Sequence, residues 1–468
     1  MAPVAALRTL FDRFVALGIR RNAMLAAAQA IVGAGALFVC YRLVIVFHGL
    51  EKIGLWSVLL AVINIVRLFD PSGNHVLSRN VARSHKDGDG QGITEYIDSL
   101  TIFLLFAYIL LPLLAYFPIE FFMPRIFESE NLPEARALLP WMLGSLFVNV
   151  IGLALAGAID GLQRADLRGY VMIASQAIFI VFAAILIPPL GLLGFIWAQI
   201  VQYFTLAIMA RMLLRHEVRE LGWLPRRFRL HRLKEILSYG VKVQMTGWAG
   251  FLGDPLTRLL LNRYGGLAPT AVYEIASKVV VQVRMVIAAG AIPLIPMFAA
   301  GESDGREKQI GQIRQINGFL IKLISASVVL ICLSSPLVAY IMLGKPTELF
   351  AVFTGLLIFG WSTNMISMVL YLYGHGLGFL KWNIIGNMSV AVGTIAFAFF
   401  FTPLFGAGAI VGGFALGLIL SSAIIIVGNA HVIGSPVARL FPLGMILRWW
   451  VPAMAIGGAA TYAMIRLV

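Results

Sequence analysis

The sequence predicts an all-α integral membrane protein made of two parallel six-helix lobes. Composition, the spacing of apolar segments and an internal repeat lead there. Hydrophobic residues make up 60% of the 468 and charged residues 12%, against roughly 45–50% and 25% in a soluble domain. A helix needs roughly 20 apolar residues to cross the hydrocarbon core. Segments of that kind are expected at about 23–47, 53–78, 96–117, 137–159, 170–188, 191–214, 236–262, 270–300, 314–341, 349–374, 384–402 and 406–429, twelve in all. A shorter, small-residue-rich stretch at about 449–465 is a thirteenth candidate.

The connections are short, leaving no room for a soluble domain. The expected organisation is a basic cytoplasmic N-terminal segment 1–22 without a cleavable signal, a lobe over 23–214 and a basic cytoplasmic linker over 215–235. A second lobe follows over 236–429, and then a tail over 430–468 that carries the extra segment. Cys40 and Cys332 both fall within spans, so they support neither a disulfide framework nor a metal cluster.

Shifting the chain by 215 positions brings Asn149, Ile151 and Leu155 onto Asn364, Ile366 and Leu370, and Pro188 and Gly191 onto Pro403 and Gly406. A shift of 217 brings Gly49, Arg67 and Gly73 onto Gly266, Arg284 and Gly290. Apolar composition alone does not place Pro, Gly and an intramembrane Arg at matching offsets. Six helices per repeat keep both halves in the same orientation, the parallel arrangement in which transporters place a substrate site between repeats.

The net charge of +14 raises nucleic acid as a partner, but its distribution argues against one. With the N-terminus inside, the outer loops hold only Lys52, Arg125, Arg136, Arg263 and Lys345; the other loop cations lie on the inner side. That is the positive-inside pattern. The densest run, Arg211 through Lys234, reads as a topology anchor against anionic lipid, with phosphate binding as the competing reading.

Charges within spans cost about 2.5–3.5 kcal/mol each at mid-bilayer, so each needs a partner or a wet cavity. Cations outnumber acids there: Arg42, Arg67, Lys242, Arg258, Lys278, Arg284 and Lys322 against Asp70, Asp254 and Glu274. Glu274 with Lys278, Asp254 with Arg258, and Arg67 with Asp70 have helical pair spacing. Mutual neutralisation and a substrate role are both open for these pairs, and Pro255 is expected to distort the helix between Asp254 and Arg258. Lys242 and Lys322 can snorkel. Arg42 and Arg284 have no acid within a helical turn. Together with Arg67 and Arg258 they form the candidate cationic cavity, with Asp70, Asp254, Glu274 and Lys278 as its charge partners. Arginine keeps its charge in low dielectric and presents a fork that fits phosphate oxygens. Prolines 71, 255, 293 and 296 and Gly73 are candidate hinges.

Enzymatic signals are weak. The histidines lack zinc-site spacing and no Walker motif is present, so no catalytic residue, metal or cofactor is expected.

The run LFDPSGNHVLSRNVAR (68–83), together with YEIASKVVVQVRMVIAAGAIPLIPMFAA (273–300) and PPLGLLGFIWAQ (188–199), resembles the polysaccharide transporters and O-antigen flippases of the multidrug/oligosaccharidyl-lipid/polysaccharide (MOP) exporter superfamily. With the repeat, the likeness spans about 20–430. It implies a V-shaped, alternating-access transporter of the bacterial inner membrane, N-terminus cytoplasmic. Lipid II flippases of the superfamily use arginines on early helices and the eighth, which Arg42, Arg67 and Arg284 match. Those flippases have fourteen helices, whereas one extra segment is visible here. The multidrug members need an acidic cavity that this chain largely lacks.

The expected function is therefore a flippase for a polyprenyl-pyrophosphate-linked oligosaccharide used in surface polysaccharides such as O-antigen, lipopolysaccharide or exopolysaccharide. Its partners would be that anionic glycolipid, membrane lipids, and H+ or Na+ as candidate coupling ion. The alternatives are a multidrug or metabolite cation exporter and, from another class, a membrane-integral glycan polymerase or ligase.

Overall fold

The computed structural model describes residues 19–67, 74–238, 252–291 and 305–466, with positions 240, 294, 297 and 298. Asp70, Pro71, Gly73, Lys242, Pro293 and Pro296 lie outside the described residues. Among the described residues the structure is helical, without strands.

The helices run in order as α1 (Ile19–His48), α2 (Leu50–Arg67), α3 (Asn74–Lys86), α4 (Gly90–Ile126), α5 (Leu132–Gly161), α6 (Ala165–Leu190) and α7 (Leu192–Glu217). The short α8 covers 230–238. Then come α9 (Gly253–Gly265), α10 (Leu267–Ala291), α11 (Arg306–Leu343), α12 (Glu348–Ile366), α13 (Met368–Leu377), α14 (Lys381–Phe405), α15 (Ala407–Ile433) and α16 (Val451–Arg466). Ten of the described segments are long and apolar enough to cross a bilayer. They include Leu443–Arg466, around the thirteenth candidate stretch. Phe106, Leu333 and Phe399 stand exposed on their helices, as side chains meant for lipid do.

The repeat reappears as backbone geometry. α6 turns into α7 at Gly191 with φ 59 and ψ −131, and α14 into α15 at Gly406 with φ 56 and ψ −142. The α1–α2 joint at Gly49 (φ 94) and the α9–α10 joint at Gly266 (φ 83) match in the same way. Positive φ strains any residue with a Cβ, so glycine at these four positions is what lets consecutive helices meet without a loop.

The helix α4 has 37 residues and α11 has 38. At 1.5 Å per residue each is about 55 Å long, well beyond the roughly 30 Å of hydrocarbon. Their polar N-terminal ends extend past the apolar stretch and hold neighbouring chain. Glu95, Asp98 and Ser99 of α4 bind the 226–232 segment. Asn317 of α11 donates to the carbonyl of Leu440 at 3.0 Å.

The chain divides into two compact units. One comprises 1–48, 66–124 and 132–244; within it α5, α6 and α7 pack together, α1 lies on α6 and α3 on α5. The other comprises 49–65, 125–131 and 245–468; here α14 and α15 pair closely, α12 lies against α10 and α15, and α16 lies against α11 and α12. The second unit thus takes in most of α2. Gly54 lets α2 approach the α10 backbone: a Cβ there would lie 2.1 Å from the Leu267 carbonyl oxygen.

Two expected elements differ. The apolar stretch 349–374 is not one helix: α12 ends at Ile366 and α13 starts at Met368. The Ser367 hydroxyl and amide both bond back to the Asn364 carbonyl, at 2.7 and 3.1 Å, and divert the chain there. Pro255 does not distort a helix interior. α9 starts at Gly253, so the proline occupies its first turn, where no intrahelical N–H is required.

Candidate functional site

In the second unit, α9 and α10 bring four of the predicted charges together. Arg258 is buried; its Nη1 lies 2.7 Å from Asp254 and its Nε 2.9 Å from Glu274. Lys278 approaches the other Glu274 oxygen at 3.3 Å. The Ser57 hydroxyl donates to Glu274 at 2.8 Å, and the Tyr273 hydroxyl donates to Asp254 at 2.9 Å. Ser57 and Glu274 are 217 positions apart, so two repeat-equivalent residues touch directly. Two carboxylates face two cations in this cluster. The pairs Asp254–Arg258 and Glu274–Lys278 form at the spacing the sequence suggested, joined into one network by Arg258.

Arg284 is treated differently. Its guanidinium lies over the Trp361 ring, 4.2 Å from the centroid. Its Nε is buried without a hydrogen-bond partner, and no carboxylate pairs with it among the described residues. The face of tryptophan attracts a cation by about 2 kcal/mol when water is excluded, short of the roughly 2.5–3.5 kcal/mol that a mid-membrane arginine costs. The stack holds the cation in place without neutralising it.

Arg284 lines a cavity of about 270 Å³. Its wall includes Trp361 and Asn364 from the end of α12, Ser367 between α12 and α13, Tyr371 from α13, Asn387 from α14 and Asp254 from α9. The break at Ser367 thus falls in the cavity wall. Among the described residues Asp254 is the one carboxylate of the lining, and it is engaged by Arg258 and Tyr273. Most of the remaining lining is apolar, from residues such as Leu372, Val390 and Phe414. Its polar groups, one guanidinium, two carboxamides and hydroxyls, suit a compact anion with several acceptor oxygens.

In the first unit, Arg67 ends α2 and its Nη2 donates to the Asn149 side chain on α5. Arg42 is half-buried on α1. Asp70, the partner expected for Arg67, is outside the described residues. Arg67 and Arg284 are repeat-equivalent, and so are Asn149 and Asn364. An arginine therefore comes to the same asparagine position in both halves, by direct contact in the first and as co-lining of one cavity in the second. Sequence reasoning named the four arginines but not Trp361, Ser367, Tyr371 or Asn387. The Asn149–Asn364 match was the available signal for Asn364; nothing in the sequence marked Asn387, whose repeat position holds Met172, or Trp361. Among the described residues no three His, Cys, Asp or Glu side chains gather to hold a metal ion.

Residues 19–302, more than half of the chain, match the family described as polysaccharide biosynthesis protein. The chain belongs to that polysaccharide biosynthesis protein family. No curated protein matches it. Its fold is that of solved MOP superfamily transporters. It is similar to an inward-facing multidrug resistance MATE family transporter at TM-score 0.73 and 17% identity, covering 86% of this chain and 98% of that one. It is also similar to the lipid II flippase MurJ in an inward closed conformation, at TM-score 0.70 and 12% identity over 95% of this chain and 97% of that one. A third similar structure is a MOP superfamily transporter from Pyrococcus furiosus with a binding pocket of reverse polarity. There the TM-score is 0.62 and the identity 15%, over 89% and 96% of the two chains.

Proposed function

We propose that the protein is a flippase. It passes a lipid-linked oligosaccharide with a polyprenyl-pyrophosphate head across the inner membrane, for surface polysaccharide synthesis. The observation that carries this reading is Arg284: a cation stacked on Trp361 in a cavity that also presents Asn364 and Asn387, with no carboxylate paired to it among the described residues. A pyrophosphate supplies the missing negative charge and accepts the planar fork, and Asn364 and Asn387 can donate to its outer oxygens or to the first sugar. In the first half Arg67 and Arg42 are the candidate cations for an anionic head group, and the polyprenyl tail stays in lipid. Arg258 supports the cavity wall through Asp254 and does not meet the substrate.

With the N-terminus in the cytoplasm, moving two negative charges outward gains roughly 4–5 kcal/mol at 100 mV; H+ or Na+ is the candidate coupling ion. The likeness to a multidrug transporter favours cation export as the second reading. That reading needs a free carboxylate in the cavity, and Asp254 is already engaged.

The test is to substitute Arg67 and Arg284 with Ala, separately, and follow the lipid-linked glycan. A flippase accumulates the intermediate on the cytoplasmic side. Unchanged glycan export in both variants defeats the reading. Drug sensitivity of a deletion strain with normal surface glycan assigns cation export, and unpolymerised units outside assign a polymerase.

A further inference from the structure

The segment that follows α7 is built against α4 in an unusual way. Arg211, at the end of α7, pairs with Asp98 at 2.9 Å, both buried. The other Asp98 oxygen accepts the backbone N–H groups of Arg226 and Arg227 at 3.0 and 3.2 Å. The Ser99 hydroxyl accepts the Arg229 N–H at 2.8 Å. Glu95 holds the Arg229 and Arg232 side chains at 3.3 and 3.4 Å. These contacts satisfy the inward side of the segment, as buried polar groups require.

What remains outside is apolar and cationic. Trp223, Leu224, Phe228 and Leu230 are 56%, 63%, 45% and 57% exposed. Trp223 is fixed by the Arg215 guanidinium, 4.3 Å from its ring centroid. Arg226, Arg227 and Lys234 stand exposed among these side chains, and their side chains have no partner among the described residues. From 218 to 234 the sequence has six Lys or Arg and one acid, Glu220.

We infer that the 223–234 segment is a docking surface for anionic lipid head groups, in the leaflet at which α7 ends. Large apolar side chains interleaved with arginines suit the boundary between head groups and acyl chains, where each group finds its own medium. The membrane-spanning helix α7 ends at Glu217, six residues before Trp223, which keeps the segment within reach of that boundary. Basic residues there are each worth about 1 kcal/mol against an anionic leaflet. An acidic protein would answer the arginines but gives no reason for four exposed apolar side chains beside the end of a membrane span.

The test uses the full chain in nanodiscs with an environment-sensitive fluorophore on Leu224→Cys; Cys40 and Cys332 are buried and stay unlabelled. The probe is titrated with nitroxide-labelled phosphatidylglycerol or nitroxide-labelled phosphatidylcholine. Two arginines at about a factor of five each predict half-quenching at a roughly 25-fold lower mole fraction of phosphatidylglycerol. The double substitution Arg226→Gln with Arg227→Gln should close most of that gap. It leaves the segment in place, because Asp98 binds backbone N–H groups there. High salt should shrink the gap in the unsubstituted protein. Equal quenching by both lipids overturns the inference, as does no quenching by either. A fluorescence change that appears only when polyglutamate is added assigns the surface to an acidic protein and overturns it too.

Discussion

The two halves carry the same arginine and the same asparagine at repeat-equivalent positions and use them differently. In the first half α5 runs unbroken from Leu132 to Gly161, and Arg67 is tied to Asn149. In the second half the equivalent helix stops at Ile366, and Arg284 and Asn364 line an open cavity. Where the second half has Trp361 beneath its guanidinium, the first has Leu146, 215 positions earlier and buried. Duplication supplied the scaffold. Changes at single positions, Trp361 and Ser367 among them, set apart the half that keeps an open cation.

The sharpest way to break the comparison is to separate cations that are neutralised from those that are not. Glu274→Ala leaves Arg258 and Lys278 without their shared carboxylate, and such a loss costs about 3–5 kcal/mol. Thermal unfolding in detergent should show a drop in Tm, and Arg258→Ala added to Glu274→Ala should recover much of it. Arg284→Ala removes a cation that pairs with no carboxylate among the described residues, so its Tm should hold or rise while glycan export fails. A large fall in Tm for Arg284→Ala would show that its charge is compensated after all.

Next in size is the Arg67–Asn149 contact. A hydrogen bond to a charged group contributes about 1.5–3 kcal/mol, so Asn149→Ala should lower stability by that order. Asn364→Ala, which loses only a 3.4 Å bond to the Leu418 carbonyl, should change stability less and export more. Equal effects at both asparagines would erase the asymmetry. Smaller still is the aromatic face. Trp361→Leu removes about 2 kcal/mol of cation–π attraction, and Trp361→Phe should retain part of it, read as export rates ordered Trp, Phe, Leu.

The smallest effects should come from the turns. Gly191→Ala and Gly406→Ala each place a Cβ at positive φ, costing about 1–2 kcal/mol. Gly191→Ala should cost somewhat more, because its Cβ would come within 3.3 Å of the His48 ring whereas a Cβ at Gly406 meets nothing within 4 Å.

Much of the scaffold was legible because helix joints need glycine: Gly49 with Gly266, and Gly191 with Gly406, marked real backbone equivalences. The ion pairs were legible from i,i+4 spacing. The cavity was not. Ser367 sits in an apolar run whose hydropathy is the same whether the helix continues or breaks, and Trp361 reads as one more apolar residue until Arg284 is seen above it. For Arg258 the spacing revealed Asp254 but not Glu274, its second carboxylate, which comes from the next helix across the Gly266 joint. Ser57 meeting Glu274 depends on α2 packing within the second unit, which no local pattern encodes.

The central claim is that the Arg284 cavity binds an anionic head group. Calorimetric titration of purified protein with a polyprenyl pyrophosphate tests it most directly, comparing the natural chain with Arg284→Gln. Loss of charge-assisted hydrogen bonds worth about 1.5–3 kcal/mol predicts affinity weakened roughly 10- to 150-fold. Equal affinity in the two proteins would contradict the account.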